Sequence, residues 1–126
     1  MVVFSNHRLG PSAEFLVSAA VASAMLRETV AAARPLATSR WELELVTWLD
    51  ERVDTNVSEL DVSDLAWTRD HFEHQKSFVT AAIALAAAGS ENGPALTRWR
   101  RMIEAHPPDA VQFGRRWAWL SPSPTA

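Results

Sequence analysis

The stretch from 63 to 89 constrains the fold of this chain more than any other. Placed at 100° steps, Leu65, Phe72, Val79 and Ile83 gather on one side. Trp67, Phe78 and Leu85 gather roughly 200° away, with Ala82 and Ala86 between the two groups. Arg69, Asp70, Glu73, Lys76, Ser77 and Thr80 are left a polar arc of only about 120–140°. A helix with so narrow a polar face must be covered by two or more neighbours. The spacing therefore predicts a central packing helix that opens at Asp61 or Ser63 and closes at Gly89, a natural C-terminal cap. His71, His74 and Gln75 lie in or at the edge of its apolar arc. Polar groups placed there must be hydrogen-bonded, ligated or presented to a partner.

Three further helices follow from local signals. One is predicted from Ser12, a cap after Pro11, to the residue before Arg34-Pro35, with Ala19, Ala20, Ala22 and Ala24 keeping its surface small. Ser39-Arg40-Trp41-Glu42 matches a capping box, and Trp41, Leu45, Trp48 and Leu49 follow at helical spacing before the pattern fades near Val53. A fourth helix starts after Asn92-Gly93 with Pro94 at its first position, shows Leu96, Trp99 and Ile103 on one face, and stops at Pro107-Pro108. Residues 54–62 read as a loop with a short extended piece at 57–60. In 109–120, Val111, Phe113, Trp117 and Trp119 alternate as in a strand, while Phe113, Trp117 and Leu120 also suit a helix. The extended reading is preferred, paired with Val2-Val3-Phe4, because a lone strand needs a partner. The expected fold is mainly α: a compact single domain over 1–126 of about four helices, with a short two-stranded pairing of the N- and C-terminal segments and a frayed end at 121–126.

A chain of 126 residues buries roughly two-thirds of the surface it exposes when unfolded, so no covalent or metal staple is needed. Cysteine is absent, which removes disulfides, thiol catalysis and Cys-based zinc sites. The N-terminus lacks a basic start followed by an apolar run, and the Ala-rich segment 13–33 carries Glu14, Arg27 and Glu28, too polar for a membrane span. The expectation is a cytoplasmic protein, of bacterial character, without membrane attachment.

The chemistry-bearing motifs are few. There is no G-x-S-x-G, no G-x-G-x-x-G, no phosphate loop, no H-E-x-x-H and no Tyr. Asp70-His71-Phe72-Glu73-His74 looks like a metal motif, but on a helix both carboxylates turn toward the polar arc, away from the histidines. His71 and His74, three apart, can share an ion only if His7, His106, Asp54 or Glu59 supplies a third ligand. Gln75 at i+4 is placed to hydrogen-bond His71. No nucleophile or carboxylate pair converges on these rings, so the protein is expected to be non-catalytic and to need no cofactor.

Charge is the second informative feature. Residues 42–73 hold ten acids and two bases, a local balance of −8 in a chain of net −3. The densest part spans Asp50, Glu51, Asp54, Glu59, Asp61 and Asp64. Such a surface steers a basic partner and repels nucleic acid. Arg98, Arg100, Arg101, Arg115 and Arg116 could form a basic patch for nucleic acid, a third reading that the acidic middle opposes. Six tryptophans are a surplus suited to core packing and to interfaces. The leading expectation is a binding protein that neutralises a basic protein partner, such as a toxin or nuclease, through Asp50, Glu51, Asp54, Glu59 and Asp61, as immunity and inhibitor proteins do. The alternative is a ligand or metal site in the bundle lined by Trp67, His71, His74, Gln75 and Phe78. The wide apolar arc at 63–89 leaves room for a homo-oligomer.

Overall fold

A computed structural model describes residues 1–9 and 13–108. Alternating or apolar short segments near the N-terminus form strands: β1 (Val2–Ser5) and β2 (Glu14–Val17), joined later in the chain by β3 (Glu59–Asp61). β1 is the middle strand of a three-stranded sheet ordered β2-β1-β3. It runs antiparallel to β2, with Phe4 opposite Phe15 and Ser5 opposite Glu14, and parallel to β3, with Phe4 opposite Leu60 and Ser5 opposite Asp61. Parallel neighbours need a long crossover. Here it is filled by β2 and two helices, α1 (Ala19–Ala33) and α2 (Arg40–Glu51). Two more helices, α3 (Phe72–Ala88) and α4 (Gly93–Glu104), complete the described elements, apart from short 3₁₀ turns. The mainly helical architecture is as expected, but the sheet has three strands rather than two. Val2-Val3-Phe4 is a strand, yet both its edges are already filled by β2 and β3. The expected strand at 109–120 and the frayed end at 121–126 lie outside the described residues.

Two helix starts differ from the reading of the sequence. α1 begins at Ala19, where Ser18 Oγ accepts the Val21 N–H at 3.1 Å. The residues before it alternate, with Phe15 buried and Glu14 and Leu16 exposed, which is the period of a strand. A Ser18→Ala variant removes this cap and is expected to lower unfolding free energy by about 1 kcal/mol in a urea titration. α3 begins at Phe72, not at Asp61 or Ser63. Side chains hold the preceding backbone out of the helix. Asp61 caps a single 3₁₀ turn at Val62–Asp64 through the Ser63 N–H, and Leu65 then turns extended with ψ 158°. Further on, Gln75 accepts the Thr68 N–H at 2.7 Å and donates to the Ala66 carbonyl at 3.1 Å. Local side-chain bonds of this kind compete with helical ones. By contrast α2 has the capping box in full, with Ser39 and Glu42 bonding reciprocally.

α3 packs on both α1 and α4. Its buried Phe78, Val79, Ala82 and Ile83 meet Met25, Leu26 and Val30 of α1 and Leu96, Trp99 and Ile103 of α4 in one core. The α3–α4 turn is tight: a Cβ on Gly93 would lie 3.0 Å from the Ala87 carbonyl oxygen, so a side chain there would push the helices apart. The sheet joins the core through Phe4, stacked on Phe15 at 5.1 Å and meeting the Trp99 edge at 5.3 Å. Among the described residues, no helix is long and apolar enough to cross a membrane.

Candidate functional site

Burial of polar side chains is costly, so their distribution is informative. Those buried among the described residues are Ser5, Asn6, Thr29, Glu42, Asp61, Gln75 and His106. Four of them, Ser5, Asn6, Asp61 and His106, gather at one end of the sheet, where β1 and β3 finish and β2 starts. Asn6 donates to the Met102 carbonyl at 3.2 Å and accepts the Arg8 N–H at 3.2 Å, and its Oδ1 lies 3.3 Å from His106 Nδ1. Asp61 accepts the backbone N–H groups of Ser63 and His7 and the hydroxyl of Ser63. Burial pushes its carboxyl up, but these bonds, with a contribution from Ser5, outweigh burial and hold it below the usual range.

His7 stands above this layer with its side chain about half exposed. Its Nε2 is 2.7 Å from Glu59 Oε2 and 3.1 Å from Asp61 Oδ2. The hydrogen bond with Glu59, helped by the charge of Asp61, raises the imidazole above its ordinary value. Ser5 Oγ lies 2.7 Å from Glu59 Oε2 and 3.1 Å from Asp61 Oδ2, so it donates to carboxylates and not to the imidazole. Ser, His and Asp meet here in an order other than the nucleophilic triad, because the hydroxyl donates to the carboxylates rather than to the imidazole.

The residues of the expected site at 67–78 do not share one space. His71 lies against Trp41, the rings tilted by 35° with centroids 3.5 Å apart, while His74 Nε2 lies 2.7 Å from Glu42 Oε2. Gln75 is fully buried and bonds the 66–68 backbone rather than His71. Phe78 is in the core. Trp67 precedes the helix, donates its indole N–H to the Val62 carbonyl and packs on Phe72. The α2–α3 seam is tied by these contacts. Its hub is Glu42, which accepts the backbone N–H groups of Thr38 and Ser39, the Thr38 hydroxyl and the His74 ring. Burial raises its carboxyl, yet those donors together lower it from 4.5 to about 2.

The acidic residues divide into two groups. Asp50, Glu51 and Asp54 sit at the end of α2 and just beyond it, with Arg34, Arg52 and Arg27 at 3.1, 3.9 and 4.0 Å respectively. Glu59 faces His7 at the sheet. Asp61 is only 3% exposed and wholly engaged inside, so it is not part of an acidic surface. Its place as the last residue of β3 buries it, whereas a loop placement had it exposed. Beside the first group, α2 and residues 66–68 enclose an open cleft of about 510 Å³, lined by Leu43, Trp48, Ala66 and Trp67 with Arg40, Glu44, Thr47, Glu51 and Thr68. The Arg52 guanidinium lies 3.5 Å over the Trp48 ring.

Ser5, Asn6 and Glu14 are not singled out by the sequence; His7 and His106 enter there only as helpers to His71 and His74, and Glu59 as such a helper and as part of the acidic partner-binding surface. The available signal was the polar run Ser5-Asn6-His7 directly after the apolar Val2-Val3-Phe4. No protein-family model, curated protein or solved structure matches this chain. Function therefore rests on the site geometry: a small helical domain with a three-stranded sheet, one solvent-open aromatic cleft among acids, and one polar cluster at the sheet end.

Proposed function

We propose that the protein is a non-catalytic binding module that docks a basic protein segment on the outer side of α2. The carrying observation is the cleft, where Leu43 and the half-buried Trp67 offer apolar surface over the largely buried Trp48, next to the carboxylates of Glu44 and Glu51. Leu43 lines this cleft and is 53% exposed. Aromatic side chains in a partly open pocket are the usual anchors of protein interfaces. Asp50 and Asp54 extend the negative surface away from the cleft. The Asp54–Arg27 and Glu51–Arg52 pairs are long, at 4.0 and 3.9 Å, and the Asp50–Arg34 pair at 3.1 Å is about half exposed; pairs of this kind contribute little, so a partner's Arg or Lys can replace them. The specific form of this reading is an immunity- or inhibitor-type protein that covers the basic site of a toxin or nuclease.

A designed peptide with Leu flanked by Arg, and the same peptide with Glu in place of Arg, test the chemistry. Tryptophan fluorescence of the full chain reports binding through Trp48 and Trp67. The basic peptide is expected to bind at least about tenfold more tightly, with affinity falling as salt is raised. Changing Asp50, Glu51 and Asp54 together to Ser, or Leu43 to Asp, is expected to weaken it by about tenfold or more. Equal binding of the two peptides, or binding indifferent to both variants, refutes the reading.

A further inference from the structure

We propose that His7, Glu14 and Glu59 form a binding site for a first-row divalent metal ion at the sheet end. The three side chains come from different places in the chain, namely the turn after β1, the start of β2 and the start of β3. Their ligand atoms nevertheless all lie within 4.8 Å of one another. The inference is independent of the α2 cleft, which involves none of these residues.

The donor set fits the ion. One imidazole and two carboxylates, with open positions left for water, suit Zn²⁺, Mn²⁺, Co²⁺ or Fe²⁺, whereas Mg²⁺ and Ca²⁺ favour all-oxygen shells. Two donors at right angles on bonds of about 2.1 Å are roughly 3 Å apart. His7 Nε2 and Glu59 Oε2, at 2.7 Å, already stand near that spacing. Glu14 is exposed, and its carboxylate is held by none of the hydrogen bonds that fix Glu59 and Asp61. Rotation about its side-chain bonds closes the remaining gap.

The supports behind the ligands also have the character of a metal site. Ser5 Oγ holds Glu59 Oε2, and the buried Asp61 fixes the His7 backbone by accepting its N–H. Ligand-orienting hydrogen bonds of this kind decide affinity as much as the ligands themselves. Glu14, Glu59 and Asp61 together place three carboxylates around one imidazole. This is a local concentration of negative charge that a divalent ion would offset. Binding would replace the Nε2–Glu59 contact with two metal–ligand bonds. Asp61 and Ser5 are positioning residues here.

The test uses the chelator-treated full chain, titrated with Zn²⁺, Mn²⁺ and Mg²⁺ by calorimetry, and with Co²⁺ by visible absorption. One equivalent of Zn²⁺, Mn²⁺ or Co²⁺ is expected to bind, at least about tenfold more tightly than Mg²⁺. Glu14→Gln leaves the internal hydrogen bonds intact, and His7→Ala removes the nitrogen donor. Each is expected to weaken binding about tenfold or more, with circular dichroism and unfolding midpoint of Glu14→Gln unchanged. His71→Ala and His74→Ala are expected to bind as the parent does. No stoichiometric binding, affinity insensitive to Glu14→Gln and His7→Ala, or loss of binding in His71→Ala or His74→Ala each overturns the proposal. Failure of all these leaves the α2 cleft reading untouched, since its peptide assay contains no metal.

Discussion

Glu42→Ala is expected to lower unfolding free energy by about 3 kcal/mol at neutral pH, more than loss of an ordinary helix cap. Glu42 is 4% exposed and accepts hydrogen bonds from two backbone N–H groups, a hydroxyl and an imidazole. Alanine leaves the N–H groups of Thr38 and Ser39 without an acceptor in a place that water reaches poorly. Glu42→Gln keeps the shape but loses the charge, and should cost about half as much. The same residue fixes a pH dependence. Its carboxyl is lowered from 4.5 to about 2 in the folded state, so its contribution is fully present above about pH 4.5 and is lost as pH falls toward 2. Urea titrations between pH 7 and pH 3 should therefore show the gap between parent and Glu42→Gln shrinking as the solution becomes acid. A gap independent of pH would mean that the Glu42 carboxylate is not held by these donors.

Trp99→Ala should be at least as damaging, at about 4 kcal/mol. The indole is fully buried in α4 and receives the edge of Phe4 from the middle strand, so its loss opens a cavity where helices and sheet meet. Trp99→Phe is a sharper test. The Trp99 indole N–H has no acceptor among the described residues. An unpaired buried donor already costs free energy, so replacing it with Phe removes a penalty while forfeiting some contact. The net cost is expected to stay near 1 kcal/mol, well under the Ala value. Thermal or chemical unfolding of the two variants checks the ordering. A Phe variant as unstable as the Ala variant would show that the indole N–H is satisfied after all.

The contrast between α2 and the approach to α3 shows what was legible in the sequence. The capping box at Ser39 and Glu42 is a local device, complete within four residues, and it placed the start of α2 correctly. The stretch before Phe72 failed for the opposite reason. Leu65 and Trp67 fit the helical period by spacing alone. What keeps them out of the helix is Asp61 reaching to Ser63, and Gln75 reaching back across several residues to Thr68 and Ala66. Periodicity carries no information about such bonds. β2 was hidden similarly, its four residues merged into the Ala-rich helix that follows Ser18. The candidate metal ligands were the least visible of all. His7 and Glu59 are far apart in sequence and meet only because β1 and β3 pair in parallel, a pairing that has no short-range signal. The exposed acids of α2 could be read from composition, whereas the burial of Asp61 depended on recognising β3.

The position of β1 in the middle of the sheet also has a consequence for how the chain acquires its structure. During synthesis β1 and β2 emerge early and can pair as a hairpin. The other edge of β1 must wait until Glu59–Asp61 has been made and the intervening helices have collapsed, a non-local closure of the slow kind. Until then an apolar strand carries a row of unpaired backbone groups, the arrangement that invites wrong partners. Crowded expression at high temperature should therefore be hardest on the nascent chain rather than on the finished protein, and slower synthesis should recover soluble material.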